Sequence, residues 1–382
     1  MAGAAPPRIL HLLPAFEESD PAARRLVRLI EGLGRKAEHA IVSDDRERRG
    51  AARLLAKGAR VAWPRFPAIK GSKMPGRLLK LAGAMQGYDL ICSWGAGALD
   101  AALAHTLFAD VHKLPPLVHH EFGADAAEPK RRGWYRRIAL GRTAALVVPT
   151  RALETLALEG WDQPRTRVRL IPAGIDTRAF AAPAKRDLLP GLIKRREEQW
   201  LGTLAQALGA QATGLVRALA EMPPAWQLVI VGETAQRGAL EAIAQELALE
   251  DRLHFATPPA ARAGLLALFD ALVLPEPDAV EPQLLLEAMA AGLPLVAPRL
   301  GEALAPLASD NGPLLFGPGD GETMAQALRT LTARPQDARR IGQANRAKAR
   351  EEYDERRMVE RHWALYAGLT GRSVRAPERA AD

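Results

Sequence analysis

Apolar and polar positions along the 382-residue chain switch repeatedly between two patterns. Short runs rich in Leu, Ile, Val and Ala are separated by stretches in which apolar residues recur every three or four positions. The first run, Arg8–Leu13, predicts a strand. It is followed by a predicted helix over 21–34, with Asp20 as N-cap, Pro21 in the first turn and Gly34 at the end. Further strands are predicted at Ala40–Ser43, Val61–Trp63, Leu90–Ser93, Leu117–His119 and Ala145–Val148. After residue 198 the alternation restarts. It predicts strands at Trp200–Leu204, Leu228–Val231, Leu253–Phe255, Ala271–Leu274 and Leu295–Ala297, and helices at 213–221, 239–247 and 283–291. From about Gly321 to Leu369 the pattern is helical throughout. Strands alternating with helices imply βαβ units and parallel sheets. In such sheets ligands bind at the carboxyl ends of the strands.

The stretch 181–198 breaks the rhythm with Pro183, Pro190 and the charged run Lys194-Arg195-Arg196-Glu197-Glu198. At roughly 100–200 residues per domain, the length fits two domains. The expected division is 1–181 for a first Rossmann-like domain, 182–198 for a linker and 199–352 for a second. A final helix at 353–371 and a tail at 372–382 complete the chain.

Hydrophobic residues at 48% and charged residues at 25% exclude a disordered chain. The single cysteine, Cys92, allows no internal disulfide and follows the apolar pair Leu90-Ile91, so it is expected to be a core thiol in a reducing compartment. The first residues lack the charged and apolar regions of a secretory leader. No run approaches the ~20 apolar residues of a membrane span. A cytoplasmic protein is expected. The net charge of +8 is concentrated. Lys70, Lys73, Arg77 and Lys80 form one cluster; Lys130, Arg131, Arg132, Arg136, Arg137 and Arg142 form another. These are either solvated helix faces or contacts for an anionic partner, in which case the protein sits peripherally at the inner face of an anionic membrane. Nucleic acid is not expected, because the clusters lack interleaved aromatics and a binding motif.

Several motifs carry a resemblance. Leu228-Val229-Ile230-Val231-Gly232-Glu233 ends a strand on glycine, which lets a backbone approach a ligand closely. The run from Phe269 through Leu284-Leu285-Leu286-Glu287-Ala288-Met289-Ala290-Ala291-Gly292 to Ala297, and the turn Gly312–Asp320, complete the set. This half resembles the donor-binding domain of family 4 retaining glycosyltransferases. In the first half, Ile171-Pro172-Ala173-Gly174-Ile175-Asp176 and His119-His120-Glu121 resemble the family's acceptor domain more loosely.

The resemblance implies a GT-B α/β fold: two doubly wound Rossmann-like domains facing across a cleft, with the C-terminal helix crossing back to the first. It implies retaining transfer of a sugar from a nucleotide-diphosphate sugar to a glycan or lipid-linked acceptor, as in cell-surface or exopolysaccharide synthesis, without a metal or other cofactor. Glu287 is implied to hold the donor ribose. Thr203, Gly232, Glu233 and Leu284 would surround the nucleotide, and His120 and Glu121 would lie on the sugar side as catalytic candidates. An epimerase of the same fold matches the signature helix less well.

The chain departs from the family pattern around the phosphates. Ser19-Asp20, after Glu17-Glu18, replaces a Gly-Gly loop. Gln206 and Gln211 replace an arginine and a lysine, and Ala279 replaces the first of two glutamates. Two lost charge-assisted hydrogen bonds correspond to about 3–6 kcal/mol. Arg299, after the strand Leu295–Ala297, is the candidate replacement cation. The alternative is a GT-B pseudoenzyme that binds a partner or ligand without turnover.

Overall fold

The computed structural model describes residues 5–44, 50–123 and 130–371, apart from the side chains at 130–132, 279 and 302. The side chains of Lys130, Arg131, Arg132 and Ala279, and the expected tail, therefore lie outside the described residues. The chain divides into two units, residues 1–174 with 355–382, and residues 175–354.

In unit 1 the strands are β1 (Arg8–Leu13), β2 (Glu38–Ser43), β3 (Val61–Ala62), β4 (Leu90–Trp94), β5 (Leu117–His120), β6 (Ala145–Val148) and β7 (Val168–Leu170). They pair in the order β3-β2-β1-β4-β5-β6-β7, all parallel. The helices between them are α1 (Pro21–Leu33), α2 (Pro75–Gly83), α3 (Leu99–His112), α4 (Lys130–Ala139) and α5 (Arg151–Thr155). Alternation along β1 divides its side chains between two layers. Leu10 and Leu12 join Leu78, Leu103, Leu140 and Leu153 under α2 to α5. Ile9 and Leu13 join Leu26, Ile30 and Leu33 under α1. The Asp20 carboxylate caps α1 by accepting from the Ala22 N–H at 2.8 Å, a contribution of about 1 kcal/mol.

Unit 2 holds β8 (Gln199–Leu204), β9 (Trp226–Val231), β10 (Leu253–Ala256), β11 (Ala271–Val273), β12 (Leu295–Pro298) and β13 (Leu315–Phe316). Their order is β10-β9-β8-β11-β12-β13, again all parallel. The helices are α6 (Ala212–Ala220), α7 (Arg237–Glu246), α8 (Arg262–Leu268), α9 (Pro282–Ala291), α10 (Gly321–Ala333) and α11 (Pro335–Glu352). Strand order reverses at β8, as it does at β1 in unit 1, so the carboxyl ends of these strands are the places for a ligand. The last helix, α12 (Glu355–Leu369), belongs to unit 1, where Met358, Val359 and Tyr366 pack in the layer under α1.

Two short strands carry no periodic signal. β7 is three residues with an arginine at its centre, and β13 is two residues. The stretch 182–198 is part of unit 2. Lys194 Nζ donates to the Leu268 carbonyl at 2.6 Å and pairs with Asp270 at 2.5 Å, and Leu189 is buried. The units divide at Ile175, whose N–H donates to the Tyr353 carbonyl at 2.9 Å. A run of charges reads as a solvated linker in sequence, but here Lys194 is tied to Leu268 and Asp270, and Glu198 takes the Trp200 indole N–H.

Candidate functional site

At the carboxyl end of the unit 2 sheet, the loops after β8, β9 and β10 enclose a cavity of about 360 Å³. Its wall includes Leu204, Gln206, Val231, Gly232, Glu233 and Arg262. Gly232 has φ +110, and a Cβ there would lie 3.2 Å from Ala205 Cβ, so the turn requires glycine. Glu233 is exposed at the rim. Thr203 is fully buried, and its hydroxyl has no hydrogen-bond partner among the described residues. Leu284 is buried on α9 and lines neither this cavity nor the adjacent one around Thr234.

Glu287 lies on the same helix with 13% of its side chain exposed. Its Oε1 accepts from Gln283 Nε2 at 2.9 Å. Its Oε2 is 3.1 Å from Arg262 Nη1 and makes no hydrogen bond. Arg262 is a residue that sequence reasoning missed. It opens α8 without any motif, and only the fold brings it beside Glu287. Arg299, the expected cation, is exposed, and its Nη2 donates to the Leu315 carbonyl at 3.2 Å. It lines neither this cavity nor the adjacent one of about 600 Å³ around Gly232, Thr234 and Phe255.

Around Gln211, where the resemblance implies the phosphates, an acid of the chain takes a backbone donor. The Gln211 backbone N–H, at the start of α6, donates to Glu276 Oε1 at 2.7 Å. Gly209 makes room for that carboxylate, since a Cβ there would fall 2.7 Å from Glu276 Oε1. The Gln211 side chain turns away to the Gly319 carbonyl at 3.0 Å. Pro282 opens α9 and removes one N–H from its first turn. In unit 1, Asp20 and Pro21 do the same to α1. The starts of α1, α6 and α9, places that suit an anion, are thus capped from within or deprived of a donor.

His120 and Glu121, the expected residues of the sugar side, lie in the interior of unit 1. Both are about 1% exposed and engaged within unit 1. The His120 ring stacks on Trp94 at 4.0 Å between centroids, and its Nε2 is 2.9 Å from Tyr366 Oη. Glu121 is 3.1 Å from Arg136 Nε and 3.7 Å from His119 Nε2. Burial acts to raise its pKa, but His119, Arg136 and the Phe122 N–H outweigh it, and the carboxyl stays below its ordinary range. His11, His39 and His362 extend this buried cluster. His11 lies 3.0 Å from His39 and accepts from Trp94 Nε1 at 3.2 Å, and His362 stacks 5.4 Å from His120. Burial is the largest cause of depressed pKa values in all four, to about 4 for His39 and about 3 for His362. Cys92 is buried beside Tyr366, and burial pushes its thiol up to about 12, as befits a core residue.

The first basic cluster is partly paired. Lys73 and Arg77 meet Asp100 at 2.5 and 3.5 Å, while Lys80 is exposed. In the second, Arg137 pairs with Asp162 and Arg142 with Asp110. Near them Met74, Leu107, Val111 and Trp134 are exposed at 52–68%. Among the described residues no helix is long and apolar enough to cross a membrane.

With this geometry in view, comparison with known proteins is direct. Residues 22–179 match the Glycosyltransferase Family 4 model, and residues 200–334 match that of the Glycosyl transferases group 1. The chain carries a family 4 and a group 1 glycosyltransferase domain and has the GT-B fold. It is 28% identical over 275 residues to the D-inositol 3-phosphate glycosyltransferase of Corynebacterium jeikeium, covering 64% of each chain. It is 25% identical to the enzyme of that name from Mycobacteroides abscessus, covering 66% of this chain and 67% of that one. The chain thus spans slightly under two thirds of the Corynebacterium relative. Among solved structures, a glycosyltransferase from Rickettsia africae superposes with a TM-score of 0.70 at 14% identity, covering 97% of this chain and all of that one. Alr3699/HepE of Anabaena, solved in complex with UDP, superposes at 0.66 with 19% identity, covering 94% and 100%.

Proposed function

We propose that the chain transfers a sugar from a nucleoside-diphosphate sugar to a glycan or lipid-linked acceptor, with retention and without a metal. The observation that carries this reading is the cavity at Gly232, whose wall residue Arg262 is ion-paired at 3.1 Å with the Glu287 carboxylate behind it. A carboxylate is an acceptor that suits the vicinal hydroxyls of a ribose. The loop backbone at Gly232 approaches the nucleotide where a side chain would collide. Relatives named as glycosyltransferases, and the UDP held by the Anabaena protein, support this donor class. Calorimetry with uridine, guanosine and adenosine diphosphate sugars tests it. We expect at least one to bind, and Glu287→Ala to weaken it about tenfold or more. No binding to any of them ends the donor reading.

A second reading, a binding protein without turnover, is favoured by one observation. Glu276 occupies the N–H at the start of α6, while Gln206 and Gln211 supply no charge. The leaving diphosphate then lacks the electrostatic stabilisation on which transfer depends. Donor hydrolysis and transfer, measured with a panel of acceptors, separate the two readings.

On either reading, unit 1 is proposed to attach peripherally to anionic membranes. α2 and α4 contain no acidic residue, and both acids of α3, Asp100 and Asp110, are ion-paired. Exposed Met74, Leu107, Val111 and Trp134 add apolar contacts to the basic side chains.

A further inference from the structure

We infer that Arg262 selects the nucleobase in the unit 2 cavity, favouring one that presents a carbonyl oxygen (uracil or guanine) over its amino-bearing counterpart (cytosine or adenine). The inference rests on the nucleotide reading above and adds what discriminates among nucleotides.

The cavity wall at Leu204, Val231, Pro258, Pro259 and Leu265 is apolar and suits the faces of a planar ring. Arg262 is the basic residue in that wall. Its Nη1 lies 3.1 Å from Glu287 Oε2, yet both atoms are buried and neither is hydrogen-bonded among the described residues. The charge contact therefore holds the guanidinium in place while 39% of the Arg262 side chain stays exposed, so its remaining donors are open to a ligand. Glu281 Oε2, at 3.9 Å, steadies the guanidinium from a second side.

A guanidinium has donors only and never accepts. A carboxylate at this pH only accepts. The buried Nη1 anchors Arg262 to the Glu287 carboxylate, and the rest of the guanidinium, on a partly exposed side chain in the cavity wall, is left to meet the base edge. Uracil and cytosine have nearly the same shape and differ at position 4, a carbonyl oxygen in one and an amino group in the other. Facing Arg262, the amino group sets donor against donor in a partly dry site. A buried polar group left unpaired in this way is a strong source of discrimination, far stronger than a change of one methylene.

The test is calorimetric binding of two matched pairs, UDP with CDP and GDP with ADP, to the full chain. For the natural protein we expect the keto member of the pair that binds to be favoured by about tenfold or more. Arg262→Gln offers both a donor and an acceptor, so it should bind both members and bring their ratio to within about twofold. Arg262→Lys, which keeps only donors, should retain the preference. Glu287→Gln, which removes the charge that holds the guanidinium, should weaken both members and also lower the ratio. Equal affinity for both members in the natural protein overturns the inference, as does a tenfold preference that survives in Arg262→Gln. If the natural protein binds none of the four, the nucleotide reading itself falls and takes this inference with it.

Discussion

Tyr366 Oη and His120 Nε2 lie 2.9 Å apart, and this bond ties α12 to the carboxyl end of β5. Residues 246 positions apart thus share one buried contact within unit 1, next to Cys92 and in ring contact with His362. The histidine that the family resemblance places beside a transferred sugar is here part of the clamp on the last helix. Tyr366→Phe leaves His120 Nε2 buried without a partner, which costs about 1–3 kcal/mol. A melting temperature lower by a few degrees is expected, at about 2–4 °C per kcal/mol for a unit of this size. Differential scanning calorimetry measures it. An unchanged transition means that the bond does not hold the helix.

The buried histidines set a pH dependence with a definite sign. His11, His39, His120 and His362 are neutral in the fold, and their depressed pKa values lie below the unfolded value of about 6.5. Their contribution to stability is therefore complete above pH 6.5. It is lost as pH falls toward the folded values, about 4 for His39 and about 3 for His362. Arg25, buried near the cluster and brought down by burial to about 10, stays charged there and opposes protonation of His120 and His362. Each histidine contributes up to about 1.4 kcal/mol per pH unit in this window. The melting temperature should be level between pH 8 and 7 and fall steeply from 6.5 to 5, and His39→Asn should reduce that slope. A level profile down to pH 5 contradicts the account.

Membrane attachment through unit 1 is expected to need both charge and apolar contact. Each basic residue near an anionic surface contributes about 1 kcal/mol, and salt screens that contribution. Sedimentation with vesicles of neutral and of anionic lipid should show binding to the anionic ones alone, released by salt. Lys80→Glu and Trp134→Ser should each weaken it several-fold. Equal sedimentation with both vesicle types rules the attachment out.

Much of the fold was legible because it is written in local period. β1, α1 and its Asp20 cap, and the strand-to-Gly232 turn follow from patterns a few residues long. β7 and β13 were not, since two or three residues establish no period. The site was legible only where a motif is contiguous, as on α9 around Glu287. Arg262 and Glu276 act through contacts with Glu287 and the Gln211 backbone, 25 and 65 residues away; Arg262 stands in no motif, and nothing in the run from Phe269 to Ala297 marks the contact of Glu276. The packing of His120 against Tyr366 depends on α12, which the sequence places far away, so local pattern alone did not show that contact.

Glu276 supplies the sharpest test of the phosphate side. Its carboxylate takes the Gln211 N–H at 2.7 Å, a donor that a phosphate oxygen would otherwise receive, and brings a like charge toward any diphosphate placed there. At 4 Å such repulsion is worth about 1 kcal/mol in water and about 4 kcal/mol at an effective dielectric constant of 20. Glu276→Gln keeps the shape and removes the charge. It should tighten UDP by about fivefold or more, with little change for uridine, which has no phosphate. Gln206→Arg with Gln211→Lys should add to that gain, whereas Arg299→Ala, whose guanidinium is turned to the Leu315 carbonyl, should leave UDP affinity within about twofold. The Glu276 variant should also melt slightly earlier, because a charge-assisted bond becomes a neutral one. Calorimetry with UDP and uridine on these proteins decides the matter. If Glu276→Gln shifts UDP and uridine by the same factor, the carboxylate shapes the pocket and does not repel the phosphates.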